Sequence, residues 1–583
     1  MPTRDIADVL LPHGLSPPDL EMLRPTEARY RSLLMQPSGP ISATQERIGP
    51  LNVGTAAAKG KLFLELARNR GVHLAITPEY FFPWLALQEA IIEGQAPEDD
   101  ALWVLGSESI TEQGLEQFKQ AVGNQCLVLH EPLDALAADR PLFDPAVLLF
   151  RAIRADHTTQ LVALVQFKTF PSRDDLFVEE EWLRRGTLIY KFRGRTGHLA
   201  AAVIICSDAF ALDDAWLQDF NDRTTLIHIQ LNPNPRNTPY RRYRATTFQA
   251  DPKVTDCHIV CLNWAHSIVQ HGEPGIPTEA WRNIAGSTWY CPSDGCTSKD
   301  AVVIPNHNLG LYYTYMRERR HALLFHYDEA VFELLVPKLL NLGQAVMVNR
   351  NGPTAVEHYV WNGVALIWDV GVPPDPGFND LVNGNQPART ALQHILAAPN
   401  PLTVERVLAL SAGAINGSES WYRLEDIDSC QIGADEVVCR LTVAQDGMSS
   451  DFRHNRLDTA AQIHYELLNA NDWPPQVDGL DQAATLQWLN AAPNYNVRTA
   501  HDVPTLVVYL GERPSPRERE TKADMLYHLL RKNGGPHQKR LCIIYREFGV
   551  RKFAPIEALT RFDDASEDKT DIMAVLPLND IGG

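Results

Sequence analysis

Three residues that can do acid–base or nucleophilic chemistry, Glu79, Lys168 and Cys206, each follow an apolar run of strand length. In α/β sheets, the carboxyl ends of strands open into loops where ligands bind. A carboxylate desolvated there becomes a stronger base, and a fixed ammonium can stabilise an oxyanion. A cysteine beside a base and a cation becomes a thiolate nucleophile. The three residues together therefore predict a site for nucleophilic catalysis.

Each residue taken alone also has an ordinary structural interpretation. Glu79 could cap the following helix or pair with an arginine, and Lys168 could extend its ammonium to the surface along its aliphatic stem. Cys206 could be a small core residue, which is the usual role of a cysteine ending an apolar strand. The catalytic interpretation requires that all three side chains meet in one cleft.

The elements that would position these residues alternate between strands and helices. Buried apolar strands alternating with helices are typical of an α/β architecture. Within residues 41–345, strands are predicted at 74–77, 103–106, 127–129, 146–150, 161–167, 199–205, 226–230, 258–262, 301–304 and 322–326. Helices are predicted at 55–70, 112–122, 213–220 and 239–249.

The remaining chain is predicted to contain three further segments. Residues 1–40 are interpreted as an N-terminal extension, and residues 346–400 as a loop-rich linker that includes the run PPDPG at 373–377. Residues 401–583 are predicted to form a small C-terminal α/β domain of unknown role. Its clearest part is a strand at 504–510, a helix at 517–532 and a strand at 541–545, which together form a βαβ unit.

The order and surroundings of the three residues resemble the nitrilase superfamily of carbon–nitrogen hydrolases over about residues 41–345. Residues 76–79 read ITPE and resemble the motif around the family's glutamate, and residues 205–210 read ICSDAF and resemble its cysteine motif. Downstream, the runs CLNW at 261–264 and GST at 286–288 resemble the family's strand with asparagine and its small-residue turn. Between its lysine and its cysteine the family has a second glutamate followed by a glycine, which Glu179 or Glu181 and Gly186 match. Ser207 stands where an aromatic residue is usual.

The resemblance implies an α-β-β-α sandwich that forms homo-oligomers and needs neither a metal nor an organic cofactor. The residues predicted for the site are Glu79, Lys168 and Cys206 as a catalytic triad, Glu179 or Glu181 as a supporting carboxylate, and Tyr80, Phe81, Ser207 and Asp208 as substrate-binding neighbours.

The chemistry expected from the triad is hydrolysis of a small-molecule amide or nitrile through a thioester on Cys206. Two alternatives stay open: a catalytically silent scaffold of the same fold, and an acyltransferase that passes the thioester to an amine. A cysteine protease is less favoured, because no histidine at a strand end clearly pairs with Cys206.

Composition limits the partners. The formal net charge of −19 opposes binding to nucleic acid or to an anionic membrane surface. No apolar run approaches the roughly 20 residues that span a bilayer, and the N-terminus lacks the hydrophobic region of a signal peptide. A cytoplasmic location is therefore expected.

Overall fold

The protein divides into an N-terminal unit, Met1–Pro376, and a C-terminal unit, Gly377–Gly583, each described by itself. The computed structural model describes residues 2–25, 29–133, 140–173, 179–212, 223–233, 257–266, 268–273, 279–280, 287–291, 300–316, 320–339, 352–374, 378–413, 450–489, 492, 494–533 and 535–556.

The described part of the N-terminal unit contains 22 strands. Their bounds are β1 Thr3–Asp5, β2 Leu15–Ser16, β3 Arg29–Gln36, β4 Ile41–Ala43, β5 Ile48–Pro50, β6 Leu74–Phe82, β7 Leu102–Ser107, β8 Leu127–His130, β9 Pro145–Arg154, β10 Thr159–Phe167, β11 Ile189–Arg193, β12 Ala200–Ile205, β13 Thr224–Ile229, β14 His258–Leu262, β15 Val269–His271, β16 Glu279–Ala280, β17 Thr288–Cys291, β18 Leu311–Met316, β19 Arg320–Phe325, β20 Ala330–Pro337, β21 Thr354–Asn362 and β22 Ile367–Val370.

These strands form two large sheets and one small one. Among the described residues, the larger sheet has the order β22-β21-β20-β3-β6-β7-β9-β10-β8, with β2 paired to β9. The second sheet has the order β1-β11-β12-β13-β14-β17-β19-β18, and the small sheet has the order β16-β15-β4-β5. Strand β9 runs antiparallel to both β7 and β10, so its amino end lies at the sheet edge where those two strands end.

The two large sheets pack face to face. The side chain of Gln166 in β10 donates a hydrogen bond to the carbonyl oxygen of Val203 in β12 (2.9 Å) and accepts one from the backbone N–H of Tyr190 in β11 (3.1 Å). Phe150 of the larger sheet meets Phe192 of the second sheet edge to face, with ring centroids 5.3 Å apart. The residues predicted to carry chemistry lie at one edge of this sandwich.

Helices cover the outer face of the larger sheet. The helices in the described part of the unit are α1 Ile6–Leu10, α2 Val53–Asn69, α3 Trp84–Ile92, α4 Glu112–Val122, α5 Glu179–Trp182 and α6 Asp300–Asn308. Asn52 and Thr111 cap α2 and α4, since their side chains accept hydrogen bonds from backbone N–H groups of the first turn. Phe63 of α2, Leu87 of α3 and Phe118 of α4 are buried in the same core as the larger sheet's outer face.

The C-terminal unit is a second, smaller α/β structure. Its described strands are β23 Thr485–Leu486, β24 Val497–Arg498, β25 Pro504–Glu512, β26 Leu541–Glu547 and β27 Val550–Phe553, and they pair in that order. Its helices are α7 Phe378–Asn383, α8 Gln386–Leu392, α9 Leu402–Ser411, α10 Ser450–Asn469 and α11 Pro516–Asn533. Strands β25 and β26 are parallel and α11 joins them, so the predicted βαβ unit is confirmed.

The predicted α/β class is confirmed, whereas two of the predicted segment assignments differ from the structure. Residues 1–40 are not an extension, because β3 lies at the centre of the larger sheet between β20 and β6. Residues 346–400 are not simply a linker, because β21 and β22 extend the same sheet. The boundary between the two units along the chain follows Pro376.

One predicted strand is a helix. Residues 301–304 lie in α6, where Val302 and Val303 are buried. A short apolar run cannot be assigned to a strand or a buried helix by periodicity alone. Here Asn306 fixes the helix by hydrogen bonds to Pro353 and Ala355. The helices predicted at 213–220 and 239–249 lie outside the described residues.

No helix in the described part of the chain has both the length and the apolar composition to cross a membrane.

Candidate active site

Glu79 is pushed into the sandwich by an irregularity in strand β6. The pairing of β6 with β7 shifts register between Thr77 and Phe82, and Tyr80 has a positive φ of 58°. Gly106 lies opposite, where a Cβ atom would be 2.1 Å from the carbonyl oxygen of Pro78. Only glycine therefore leaves room for the irregular backbone that carries Glu79.

Both the side chain and the backbone of Glu79 are held by the second sheet. Its Oε2 accepts a hydrogen bond from the backbone N–H of Leu231 at 2.5 Å, just beyond β13. The carbonyl oxygen of Glu79 accepts a hydrogen bond from Nε1 of Trp264 at 2.8 Å, just beyond β14. The carboxylate is 1% exposed, so both the position and the environment of Glu79 are defined by protein atoms.

Lys168 follows β10 and places its ammonium among three carboxyl groups. Its Nζ lies 2.7 Å from Oε1 of Glu79, 2.8 Å from Oε2 of Glu179 and 3.4 Å from Oδ2 of Asp144. The backbone is fixed as well, because its N–H donates to the carbonyl oxygen of Asp144 and its carbonyl oxygen accepts from Gly186. Lys168 is therefore a buried cation, not a surface lysine.

Gly186 is required where it stands. A Cβ atom there would lie 2.4 Å from the carbonyl oxygen of Phe167 and 2.8 Å from a carboxylate oxygen of Glu131. The close approach lets the backbone of Gly186 bond to Lys168, so this glycine helps to hold the end of β10.

The two glutamates between Lys168 and Cys206 have different surroundings. Glu179 is 2% exposed, accepts hydrogen bonds from the Tyr80 hydroxyl (2.9 Å) and the backbone N–H of Ser172 (2.6 Å), and contacts Lys168. Glu181 is exposed. The structure therefore places Glu179, and not Glu181, beside the predicted triad.

Cys206 lies where strand β12 turns sharply. It has a φ of +40°, begins a short 3₁₀ turn over Cys206–Phe210, and is 4% exposed. A non-glycine residue with positive φ is a strained conformation that is often found at functional positions. The carbonyl oxygen of Cys206 is 2.9 Å from Nε2 of His228, a buried side chain of β13.

Asp208 connects the cysteine turn to the lysine loop. Its Oδ1 accepts hydrogen bonds from the backbone N–H groups of Thr169 (2.7 Å) and Phe170 (2.8 Å) and from the Thr169 hydroxyl (2.8 Å). Its Oδ2 accepts one from the backbone N–H of Ile205 (3.2 Å). Burial raises the pKa of Asp208 to about 6, although these hydrogen bonds oppose that effect.

Electrostatics link the three predicted catalytic residues. Burial alone would lower the pKa of Lys168, but Glu179, Glu79 and Asp144 raise it well above its ordinary value, and Cys206 adds to this effect. Burial raises the pKa of Glu79, which the neighbouring ammonium partly opposes. The site therefore holds a permanent cation beside a carboxylate of increased basicity.

The four predicted substrate-binding residues have structural contacts in place of an open surface. Phe81 packs edge to face on Trp264 with centroids 5.7 Å apart, and Tyr80 is bound to Glu179. The Ser207 hydroxyl donates to the carbonyl oxygen of Phe170 at 2.5 Å. None of the four, including Asp208, is more than 1% exposed, so the contacts of their side chains in this structure are with protein atoms.

A cation position formed by three carboxyl groups is already filled by Lys168. In the described part of the chain, oxygens of Glu79, Asp144 and Glu179 lie within 4.8 Å of one another, a spacing that can hold a metal ion. The Lys168 ammonium contacts all three, so a side chain of the protein supplies the positive charge at this position.

Sequence reasoning missed Asp144 and the roles of Leu231 and His228. Asp144 precedes a strand, whereas the residues of the predicted triad were all expected to follow strands. The available signal was the antiparallel direction of β9, which brings its amino end to the same edge. Leu231 acts through its backbone N–H, which no side-chain pattern reveals.

No protein-family model matches the sequence, and no curated protein matches it. The chain is similar in structure to enzymes of the nitrilase superfamily. An amidase from Nesterenkonia sp. aligns at 10% identity over 55% of this chain and 94% of the amidase, with a TM-score of 0.29. A CN-hydrolase superfamily protein from Xanthomonas campestris aligns at 15% identity over 42% of this chain and 78% of that protein, with a TM-score of 0.24. A glutamine-dependent NAD+ synthetase from Acinetobacter baumannii aligns at 12% identity over 72% of this chain and 64% of the synthetase, with a TM-score of 0.31.

Proposed function

We propose that the N-terminal unit hydrolyses a non-peptide carbon–nitrogen bond, with Cys206 as nucleophile, Glu79 as general base and Lys168 as oxyanion-stabilising cation. The observation that carries the proposal is the buried ion pair between Lys168 and Glu79 (2.7 Å). The loop that begins at Lys168 is hydrogen-bonded by Asp208 to the strained turn of Cys206. A base, a cation and a thiol are the groups that acyl transfer through a thioester requires.

The first half of the reaction forms the thioester. Glu79 takes the proton of the Cys206 thiol, and the sulfur attacks the carbonyl carbon of an amide. Negative charge develops on the carbonyl oxygen, where the Lys168 ammonium stabilises it. Glu79 then returns the proton to the nitrogen, the carbon–nitrogen bond breaks, and the amine leaves.

The second half consumes the thioester. Glu79 removes a proton from water as the water oxygen attacks the acyl carbon, and the same ammonium stabilises the second oxyanion. The carbon–sulfur bond breaks, the proton passes from Glu79 to the sulfur, and a carboxylic acid is released. Glu179 holds Lys168 in place through both halves by its contacts with Tyr80 and Ser172.

The test combines a substrate screen with detection of the covalent intermediate. Wild-type protein and Cys206→Ala are incubated with a panel of small amides and nitriles, and intact mass spectrometry follows acyl adducts. We expect an adduct on Cys206 and product release only in the wild type. Cys126→Ala is the matched control, because Cys126 is a buried core thiol whose pKa burial raises to about 12.

The same experiment separates the alternatives. Hydrolysis by Cys206→Ala at the wild-type rate contradicts the proposal. An acyl product formed only when an amine is added identifies an acyltransferase. Alkylation of Cys206 by iodoacetamide no faster than that of Cys126 would identify a silent scaffold, because an activated thiolate reacts far faster than a buried core thiol.

A further inference from the structure

Asp144 is a third carboxyl group at the Lys168 ammonium. It lies directly before β9 and is fully buried, at 0% exposure. Its carbonyl oxygen accepts a hydrogen bond from the backbone N–H of Lys168 (2.9 Å), and its Oδ2 lies 3.4 Å from Nζ. One of its side-chain oxygens also lies within 4.8 Å of an oxygen of the Glu79 carboxyl group.

Glu79, Glu179 and Asp144 differ in how many hydrogen bonds their carboxyl oxygens accept. Glu179 accepts from the Tyr80 hydroxyl and a backbone N–H, and Glu79 accepts from the N–H of Leu231. In the part of the chain that the structure describes, neither side-chain oxygen of Asp144 accepts a hydrogen bond from any N–H or O–H donor. Of the three, Asp144 is therefore the group least able to carry a negative charge.

The charge count of the cluster supports the same conclusion. One ammonium faces three carboxyl groups in a site closed to water, so full ionisation would leave a net charge of about two negatives in a buried space. Such a charge is far more costly than retaining one proton on the cluster. Two carboxyl groups in direct contact retain that proton most readily, because it forms a hydrogen bond between them.

We propose that Asp144 is a positioning residue whose carboxyl group shares one proton with Glu79 at neutral pH. The proton acceptor for Cys206 is then a carboxyl pair in place of a lone glutamate; this last step rests on the proposed function. The groups that face Asp144 are Glu79, Tyr80, Lys168 and Glu179.

The titration of the neighbouring groups agrees with this geometry. Burial raises the pKa of Asp144 well above its ordinary value, and Glu79 adds to that effect while Lys168 opposes it. Because Asp144 and Glu79 interact directly, the two macroscopic pKa values belong to the pair.

The proton balance through the reaction is simple. The resting pair holds one proton, with the Asp144 hydroxyl donating to a Glu79 oxygen. The Cys206 thiol proton brings the pair to two protons as the carbon–sulfur bond forms. Departure of the amine removes one proton, and the pair returns to its resting state. Asp144 thus keeps Glu79 oriented while it gains and loses its proton.

The first test is spectroscopic and does not depend on activity. Infrared spectra of the full chain at neutral pH are compared between the wild type, Asp144→Asn and Glu79→Gln, with the exposed Glu181→Gln as control. We expect one protonated-carboxyl band to vanish in both pair variants and to persist in the control. In Glu79→Gln, the lost negative neighbour allows Asp144 to ionise beside Lys168.

Either of two spectroscopic results overturns the proposal. Persistence of the band in Asp144→Asn means that Asp144 holds no share of the proton. Persistence in Glu79→Gln means that Asp144 holds a proton of its own, independently of Glu79. The second variant keeps the test decisive if the first does not fold, and neither result depends on whether the protein proves to be a hydrolase.

The second test measures alkylation of Cys206 by iodoacetamide as a function of pH. Asp144→Ala removes the donor to Glu79, and we expect the neutral-pH rate to fall about 10- to 100-fold, the effect of losing a hydrogen bond to a charged group. Asp144→Asn restores a donor and should recover part of the rate, but with one fewer titration in the profile. A profile for Asp144→Asn that superimposes on the wild type contradicts the shared proton.

Discussion

The carboxylate of Asp208 and the backbone N–H of Thr169 form a hydrogen bond of 2.7 Å that joins the turn after Cys206 to the loop after Lys168. The two segments belong to different sheets, since β12 lies in the second sheet and β10 in the larger one. Asp208, together with the Ser207 hydroxyl that donates to the Phe170 carbonyl, therefore connects the turn of the proposed nucleophile to the loop of the proposed cation.

We expect the stability contribution of Asp208 to depend on pH between about 4 and 6. Its pKa in the folded protein, about 6, is above the ordinary value of 3.8, so the folded state binds the proton more tightly than the unfolded state. Stability from this group is therefore present below pH 4 and falls as pH rises through 6, by on the order of 2–3 kcal/mol. The free energy of unfolding, measured with urea at several pH values in this range, should contain a decrease with pH that Asp208→Asn lacks. An unchanged slope in the variant would contradict the raised pKa.

Lys168→Met should destabilise the N-terminal unit strongly. The change leaves buried carboxyl groups without their cation, which costs about 3–5 kcal/mol. Lys61→Met is the matched control, because Lys61 pairs with Glu89 and Glu93 at the surface and such pairs contribute at most about 1 kcal/mol. Denaturant unfolding measures the change in the free energy of unfolding for both substitutions. Equal effects of the two substitutions would show that the Lys168 cluster is not stabilised by its ammonium.

Glu179→Gln and Glu181→Gln should differ in the rate at which iodoacetamide alkylates Cys206. The first removes a buried negative charge that orients Lys168, so alkylation of Cys206 by iodoacetamide should slow by about 10- to 100-fold. The second changes an exposed side chain and should leave the rate at the wild-type value. The two second-order rate constants at neutral pH decide the matter, and a slow Glu181→Gln would move the supporting role to that residue.

Gly106→Ala should displace the backbone at Glu79, because the new Cβ would lie 2.7 Å from the backbone nitrogen of Glu79. The new methyl group would overlap the Pro78 carbonyl, so we expect a loss of about 1–3 kcal/mol in the free energy of unfolding together with slower alkylation of Cys206. Gly54→Ala is the control: Gly54 lies in the first turn of α2, and the new Cβ would be 3.8 Å from its nearest neighbour, Asn52. That substitution should be neutral or slightly stabilising. A harmless Gly106→Ala would mean that the irregularity in β6 can relax.

The apolar runs before Glu79, Lys168 and Cys206 could be recognised from sequence as parts of strands, although β6 continues past Glu79 to Phe82. The central strand β3 was harder to recognise, because its buried residues, among them Leu33, Leu34 and Met35, lie in a stretch that was interpreted as an N-terminal extension. Whether Glu179 or Glu181 contacts Lys168 depends on which side of a four-residue helix faces the lysine. A run of three consecutive glutamates does not specify that side.

Asp144 could not be assigned from sequence for a different reason. Its importance depends on strand β9 running against its neighbours, and strand direction follows from pairing over long distances. Similarly, Phe81 and Ser207 were expected to contact a substrate because they adjoin proposed catalytic positions, whereas in the structure Phe81 packs on Trp264 and the Ser207 hydroxyl donates to the carbonyl oxygen of Phe170.

Glu79 and Lys168 stand on one layer of the sandwich, while Cys206 and the Leu231 and Trp264 groups that hold Glu79 stand on the other. A chain in which each layer had formed but the two had not docked would contain Glu79, Lys168 and Cys206, but these residues would not be close together. The proposed reactivity of the sulfur would consequently require both layers in their docked arrangement, and either layer by itself would carry only an ordinary thiol.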